Sequence, residues 1–328
     1  MEDKYNLDLK SIARKCGLYD SDNAEDIIRK IQALDEVYER DNLVLIYNFL
    51  LNECKNPQIL PEIIRCEDRI RDKSSLPVLV DILLWKTTGN DEVNKDDFVN
   101  TRVMCAKAIA NLKDTSAVNS LLYCLNNKNE HYKVRFACAD ALGRIGDRYA
   151  VAPLIDVVKD EEEKSLYIRE SAASALGMLG DIRAIEPLVN ILETKNGLVD
   201  KFTFLKERIL EALGKLRIGD NEKVFNAVKK SLMDESPQIR INAIEALMDS
   251  DNPKAYETIK SCLEDKDDEV KRNALIALYN MVGREILDEV INTANYSDFL
   301  KMEAVSLIDE YENSDDVDED EEDEKYET

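Results

Sequence analysis

The feature that most restricts the fold of this sequence is an internal repeat between Tyr132 and Leu192. Arg135 recurs 34 residues later as Arg169. The triplet Ala141-Leu142-Gly143 recurs at the same spacing as Ala175-Leu176-Gly177. Each unit of such a repeat contacts mainly its neighbours, so the chain grows by adding units instead of enlarging one core.

The repeat continues through the chain as columns of small apolar residues. Alanines at offsets of 31 to 37 residues form one column: Ala108, Ala141, Ala175, Ala212, Ala246 and Ala277. Three residues before each alanine lies a second column: Cys105, Cys138, Ala172, Ile209, Ala243 and Ala274. Small residues at positions i and i+3 form one narrow face of a helix and let a second helix approach closely. The columns therefore predict first helices that stack on one another.

A second helix follows in each unit, and the junction between the two helices has its own pattern. Gly146 and Gly180 come where a first helix should end with a positive φ angle. Asp147 and Asp181 follow and can cap the next turn, and apolar residues then recur at helical spacing. The predicted fold class is all-α, an α-solenoid of stacked antiparallel helix pairs.

The unit can be written V-R-x-x-A-x-x-A-L-G-x-x-G-D-x-x-A-V/I-x-P-L, and it resembles HEAT repeats. Within that family it is similar to the subgroup first described in phycobilisome lyases. Residues 132–160 and 166–194 match closely, and the pattern is recognisable from about residue 98 to residue 311. The resemblance implies the fold. It leaves function open, because the subgroup includes scaffolds, lyase subunits and a hydroxylase.

Three regions follow from the limits of the repeat. Residues 1–55 are expected to form an N-terminal helical cap or a separate recognition element. Residues 56–311 should form the solenoid, with about seven units. Residues 312–328 contain 11 acidic residues and one lysine, and like-charge repulsion predicts a disordered acidic tail that keeps the chain soluble or recruits a basic protein.

Composition predicts a cytoplasmic protein. Seven cysteines are scattered without a CxxC pair, which is typical of reduced thiols. The opening segment MEDKYNLDLK is charged, and no window approaches the apolar length of a membrane span. A formal net charge of -24 disfavours direct binding to nucleic acid and favours a basic protein partner.

A column of basic residues lies six residues before the alanine column. One hypothesis is a positive ridge that binds acidic or phosphate groups, with steeply salt-dependent binding to nucleic acid. The favoured hypothesis is a structural ladder in which each basic side chain pairs with acids or carbonyl groups of the adjacent unit. Its members are Arg102, Arg135, Arg169, Lys206, Arg240, Lys271 and Lys301.

A metal or cofactor site is not expected. The HEAT-like enzyme deoxyhypusine hydroxylase carries His-Glu pairs on successive first helices, and this chain has Phe136-Ala137, Glu170-Ser171 and Ile241-Asn242 there. Its one histidine, His131, lies in a polar loop. Cys105 and Cys138 fall on the buried column, which favours core packing over handling of a chromophore. We therefore expect no catalytic residues.

The predicted function is a non-catalytic protein–protein interaction scaffold. Two outward columns of the second helices should contact a basic or helical segment of another protein. The alternative is a non-catalytic or substrate-binding subunit of a lyase-like complex that handles a chromophore or cofactor. The predicted contact residues are Asn119, Tyr123, Asp156, Glu186, Asn190, Asn226, Lys230 and Glu257.

Overall fold

The computed structural model describes residues 7–19, 23–84, 95–163, 165–193, 203–216, 219 and 221–323, with the backbone alone for 95–96 and 311–323. Within these ranges the regular structure is helical and contains no strand. The chain divides into two compact units, Met1–Asp181 and Ile182–Thr328.

Short links and single 3₁₀ turns join the α-helices. The first unit contains α1 (Leu9–Lys15), α2 (Ala24–Gln32), α3 (Arg40–Glu53), α4 (Leu60–Ile70), α5 (Leu76–Leu83), α6 (Val99–Leu112), α7 (Val118–Asn126), α8 (Tyr132–Ile145), α9 (Val151–Lys159) and α10 (Leu166–Leu179). The second contains α11 (Ile185–Glu193), α12 (Thr203–Lys215), α13 (Glu222–Ser231), α14 (Pro237–Met248), α15 (Ala255–Lys260), α16 (Asp268–Val282), α17 (Glu285–Asn292) and α18 (Asp298–Asp323).

The same packing pattern recurs in both units. In the first unit the first helices α4, α6, α8 and α10 stack in order, and the second helices α5, α7 and α9 each pack on the next first helix. In the second unit α12, α14, α16 and α18 stack in the same way, while α11, α13, α15 and α17 pack on them. The predicted α-solenoid is therefore confirmed.

The alanine column forms the seam between stacked first helices. Its members are buried, as are the small residues three positions earlier. Gly143 on α8 shows how close two helices come, because a Cβ atom there would lie 2.8 Å from the backbone Cα of Ala175 on α10. Small residues at these positions are therefore a steric requirement of the stack.

The junctions between helices follow the expected chemistry. Gly146 and Gly180 end α8 and α10 with φ angles of +83° and +64°. The carboxylate of Asp147 accepts a hydrogen bond from the backbone N–H of Tyr149 at 2.9 Å. It thereby caps the 3₁₀ turn that leads into α9.

The N-terminal helices pack onto the first repeat: α2 contacts α4, and α3 contacts both α4 and α5. Tyr47 of α3 is completely buried and donates its hydroxyl hydrogen bond to Asp35, which also accepts from Arg69 of α4. Burial raises the pKa of Tyr47, so this hydroxyl remains a donor. Given these contacts, we keep the proposal that residues 1–55 cap the array.

At the other end, the backbone of α18 continues into the acidic segment as far as Asp323. Residues 324–328 lie outside the described residues. The predicted disorder of residues 312–328 therefore lies partly outside the described residues. For residues 312–323 it stays a proposal, because consecutive carboxylates on one helix repel each other.

Candidate functional site

The basic column points into the helix stack. Arg102 of α6 is 1% exposed, and its Nε donates to the carbonyl of Leu83 at the end of α5, 2.8 Å away. Its two terminal nitrogens donate to both carboxylate oxygens of Glu130, at 2.9 and 2.7 Å. Desolvation acts to lower the pKa of Arg102, but the Glu130 carboxylate raises it overall, so the buried guanidinium stays charged.

The other arginines of the column repeat this arrangement in part. Arg135 donates to the carbonyl of Leu125 at 2.7 Å and to Glu163 at 3.2 and 2.6 Å. Arg240 donates to both oxygens of Asp265, at 2.9 and 2.8 Å. Arg169 donates to the carbonyl of Val158, and desolvation lowers its pKa. Because these guanidinium groups are buried, they form no exposed ridge for phosphate.

The lysines of the column are less uniform. Lys206 pairs with Asp234 at 3.0 Å. Asp234 follows α13, the second helix of the same repeat. Lys271 departs from the inter-repeat pattern, because Asp268 lies one turn earlier on the same helix and pairs with it at 2.6 Å. Lys301 on α18 is half-buried.

The residues predicted on the second helices are all exposed. In the first unit they are Asn119 and Tyr123 on α7 and Asp156 on α9. In the second unit they are Glu186, Asn190, Asn226, Lys230 and Glu257. Tyr123, which is 57% exposed, is the one aromatic residue among them. The surface is therefore accessible but has little of the aromatic content of binding hot spots.

Ion pairs between neighbouring second helices neutralise part of this surface in the second unit. Glu186 pairs with Lys223 at 3.3 Å, and Lys230 pairs with Glu193 at 2.6 Å. Two further pairs continue the series from α13 to α17: Glu222 with Lys254 and Glu289 with Lys260, each at 2.8 Å. These charges already have partners within the chain, so they attract a basic partner less than their sequence suggests.

A different surface carries the aromatic residues. Outward positions of three first helices in the first unit enclose a groove of about 400 Å³. Tyr132, Phe136 and Tyr167 are 45%, 44% and 61% exposed there, although Val134 next to them is completely buried. The groove is lined by Val103, Lys107, Tyr132, Lys133, Phe136, Ala137, Asp140 and Tyr167. We call it the aromatic groove.

Three neighbouring rings at the start of α8 and α10 contact one another. The rings of His131 and Tyr132 stack with their centroids 4.9 Å apart, and the ring of Tyr167 lies 6.3 Å from that of Tyr132. The imidazole of His131 also caps α8, accepting from the backbone N–H of Lys133 at 3.2 Å. His131 thus holds the start of α8 and one wall of the groove.

The thiols offer little reactive chemistry. All seven cysteines are buried. Desolvation raises the pKa of Cys105 and also that of Cys262, the latter to about 11. Cys124 differs, because a hydrogen bond from Cys138 lowers its pKa. Burial of this degree is typical of cysteines that act as small core residues.

Two features are absent from the described ranges. No group of three or more histidine, cysteine, aspartate and glutamate side chains is arranged to hold a metal ion. No helix in those ranges has the length and apolar character needed to cross a membrane.

The helix pairs and their columns agree with a known family. A family model for HEAT repeats matches residues 91–166, 130–203 and 196–279. Together these matches cover more than half of the 328 residues. The chain belongs to the HEAT-repeat family. Its repeat sequence resembles the phycobilisome-lyase-like type of HEAT repeat, as expected. No curated protein matches the chain significantly.

Several solved HEAT and armadillo structures are similar to this chain. The CpcE–CpcF complex of phycocyanin lyase from a Nostoc species has 22% identity and a TM-score of 0.46, covering 72% of this chain and 87% of that one. Human deoxyhypusine hydroxylase has 16% identity and a TM-score of 0.33, with coverages of 82% and 94%. A designed armadillo protein for modular peptide recognition has 17% identity and a TM-score of 0.37, with coverages of 67% and 98%. With TM-scores below 0.5, these likenesses carry no conclusion about function.

The sequence columns did not predict the aromatic groove. In the sequence, Phe136 stands out only as a departure from the His-Glu pairs of the hydroxylase pattern. The available signal was the pair Tyr132 and Phe136, which lie one helical turn apart, together with Tyr167 in the next unit. The HEAT pattern accounts for the inward columns and says nothing of these outward ones.

Proposed function

We propose that this HEAT-repeat protein is a non-catalytic scaffold that binds another protein through the aromatic groove. The observation that supports it is the group of partly exposed rings of Tyr132, Phe136 and Tyr167 around one groove. Tyrosine and other aromatic side chains dominate the energetics of protein interfaces, because they bury a large area and lose little conformational entropy. Grouped exposed rings of this kind mark interaction sites more often than scattered ones do.

Rigid helices hold the groove in place. Its residues lie on three stacked helices, α6, α8 and α10, whose inward sides are fixed by the alanine column and by the buried Arg102 and Arg135. A binding surface on packed helices is preorganised, so a partner loses less free energy in ordering it.

The second-helix surface remains our proposal for an additional contact. In the second unit Asn226 and Lys230 line a groove of about 800 Å³ together with Met233, whose side chain is 86% exposed. Methionine is adaptable at binding surfaces, so this groove suits a helical segment. The cytoplasmic location and the basic character of this second partner are part of the same proposal.

Site-specific photo-crosslinking tests the proposed function. A photoreactive phenylalanine at position 167 should form one dominant protein adduct in an extract of the native cell. The same residue at position 149 is the control, because Tyr149 is 66% exposed in the same unit and lies outside the groove. We expect the adduct at position 167 alone.

Alanine variants give the energetic test. The triple variant Tyr132→Ala/Phe136→Ala/Tyr167→Ala should weaken binding of the crosslinked partner by roughly tenfold or more, since interface hot spots each contribute above about 1 kcal/mol. The variant Tyr123→Ala/Tyr149→Ala removes exposed rings elsewhere and should bind normally. Equal binding by the triple variant would overturn the proposal. Loss only in the control variant would favour the second-helix surface.

A further inference from the structure

We propose that the aromatic groove binds a partner segment that is acidic and carries an apolar anchor residue. This assignment rests on the proposed protein-binding function and names the chemistry of its partner. An acidic partner is the opposite of what the net charge suggests, because a chain with a net charge of -24 should prefer basic partners. The charges at the groove itself differ in sign from the net charge of the chain.

Two lysines of the groove have no counter-charge within the described ranges. Lys107 on α6 and Lys133 on α8 are exposed, and neither forms an ion pair with a described residue. Two exposed lysines elsewhere in the first unit, Lys128 and Lys73, do pair with aspartates. The one acid that lines the groove, Asp140, has Arg144 within 3.9 Å. The groove is therefore locally positive.

The helix ends add to this positive potential. Tyr132 and Lys133 lie in the first turn of α8, and Tyr167 lies in the first turn of α10. The first turns of α6, α8 and α10 contain no acidic residue. The carboxylates just before α8 and α10, Glu130 and Glu163, are paired with Arg102 and Arg135, so they offset little of the partial positive charge of the helix N-terminus. By contrast, α2 and α16 each have two acids there. Carboxylates of a partner would complement these ends.

An acidic segment bound in the groove interacts mainly with the charges nearest to it, because salt screens the more distant ones. At physiological ionic strength the Debye length is about 8 Å, so exposed charges much farther away are largely screened. Lys107 and Lys133 line the groove and act within this distance, whereas most of the net negative charge is spread over the rest of the chain. The net charge slows the approach of an acidic partner, and the groove still selects its sequence.

The rings define the apolar part of the partner. An aliphatic or aromatic side chain that packs against the rings of Tyr132 and Tyr167 would contact Phe136 and Val103 and exclude water from them. Carboxylates flanking this anchor would reach the two lysines at the rim. Single-stranded nucleic acid could stack on the same rings, but two lysines supply few of the phosphate contacts on which such binding depends.

Unbiased peptide selection on the full chain tests the proposal. Short random displayed peptides are selected on the wild-type chain and counter-selected on the variant Tyr132→Ala/Phe136→Ala/Tyr167→Ala. The expected peptides carry aspartate or glutamate on both sides of an apolar residue. The variant Lys107→Glu/Lys133→Glu should bind them roughly tenfold more weakly or worse and should select basic peptides instead. Lys10→Glu/Lys159→Glu, which changes two exposed lysines elsewhere in the first unit, should bind them normally.

The outcomes separate this proposal from the proposed function. Groove-dependent peptides that are neutral or basic would overturn the acidic assignment and leave the binding function intact. Absence of any groove-dependent peptide would count against both. Acidic peptides recovered only from a chain ending at Glu310 would show that the chain's own acidic segment fills the groove, which overturns the assignment to a partner. Displacement of the peptides by a single-stranded oligonucleotide would also overturn it.

Discussion

Glu67 is a buried carboxylate at a position where the repeat requires an apolar residue. It lies on α4 with no exposed surface. Its column in the other first helices holds Ile109, Leu142, Leu176, Leu213, Leu247 and Leu278. Neither of its carboxylate oxygens has a hydrogen-bond partner. We predict that Glu67→Leu stabilises the first unit.

The magnitude follows from the cost of burying an unpaired polar group. The hydroxyl of Ser75 and the backbone of Asp72 act to lower the pKa of Glu67, but neither forms a hydrogen bond of regular geometry with it. Desolvation is the larger effect and raises this pKa. Burying such a group without a partner costs about 1–3 kcal/mol, and leucine removes that cost while filling the column. A melting temperature higher by roughly 2–4 °C per kcal/mol is expected.

The pH dependence has a definite sign. The ordinary glutamate pKa is 4.5, and the pKa in the folded state is higher. Between these two values the folded state holds the proton more tightly. The contribution of Glu67 to stability is therefore most favourable below 4.5 and is lost as pH rises through the folded-state pKa. Glu67→Gln and Glu67→Leu remove this dependence. The advantage of both variants over the wild type should therefore grow from acidic to neutral pH.

Urea denaturation followed by circular dichroism, over a pH series, measures this effect. Glu36→Gln is the matched control, because Glu36 is exposed on the 3₁₀ turn Ala33–Glu36 and its substitution should leave the pH profile unchanged. The opposite result would be that Glu67→Gln and Glu67→Leu both destabilise the chain, and more strongly at neutral than at acidic pH. In that case the ionised carboxylate would have a stabilising partner in solution, and the explanation given for Glu67 would be wrong.

Two further predictions concern the helix stack. Gly143→Ala should cost about 1–3 kcal/mol, because the added Cβ would lie 2.8 Å from a backbone atom of α10. Gly214→Ala should cost less stability, since a Cβ atom there would lie no closer than 3.2 Å to its nearest neighbour, the Cα of Ala246. Thermal denaturation of both variants measures the difference. Glu130→Gln leaves the charge of Arg102 buried without its partner and should lose about 3–5 kcal/mol in urea denaturation. Lys223→Met breaks an exposed pair and should change stability by no more than about 1 kcal/mol, and a similar loss in both variants would contradict the role of burial.

The buried side of the helix stack could be predicted from sequence, because close packing of the helices restricts which residues can lie there. The alanine column and the glycines that end α8 and α10 repeat at fixed spacing, and each has a single steric explanation. The acids that pair with the basic column could have been found as well. Glu130, Glu163 and Asp234 each lie 28 residues after Arg102, Arg135 and Lys206, their respective partners.

The outward half could not be predicted in the same way. A sequence column shows which residues face outward, but not which of them come together across neighbouring helices or already have partners. Glu186 and Lys230 were expected to be available to a partner, and both form ion pairs within the chain. Lys107 and Lys133 could not be distinguished from other lysines in a strongly acidic sequence, because net charge says nothing about local pairing.

The departures from the repeat are the positions most informative about function in such an array. Every unit must satisfy the same packing, so residues that follow the columns are explained by the fold alone. Tyr132, Phe136 and Tyr167 lie outside the columns, where packing does not require aromatic residues. Glu67 lies inside a column and opposes it. If Glu67→Leu stabilises the chain and leaves peptide binding at the aromatic groove unchanged, the two departures are independent. If it alters that binding, the packing of α4 against α6 is coupled to peptide binding at the groove. The buried carboxylate of Glu67 would then contribute to function.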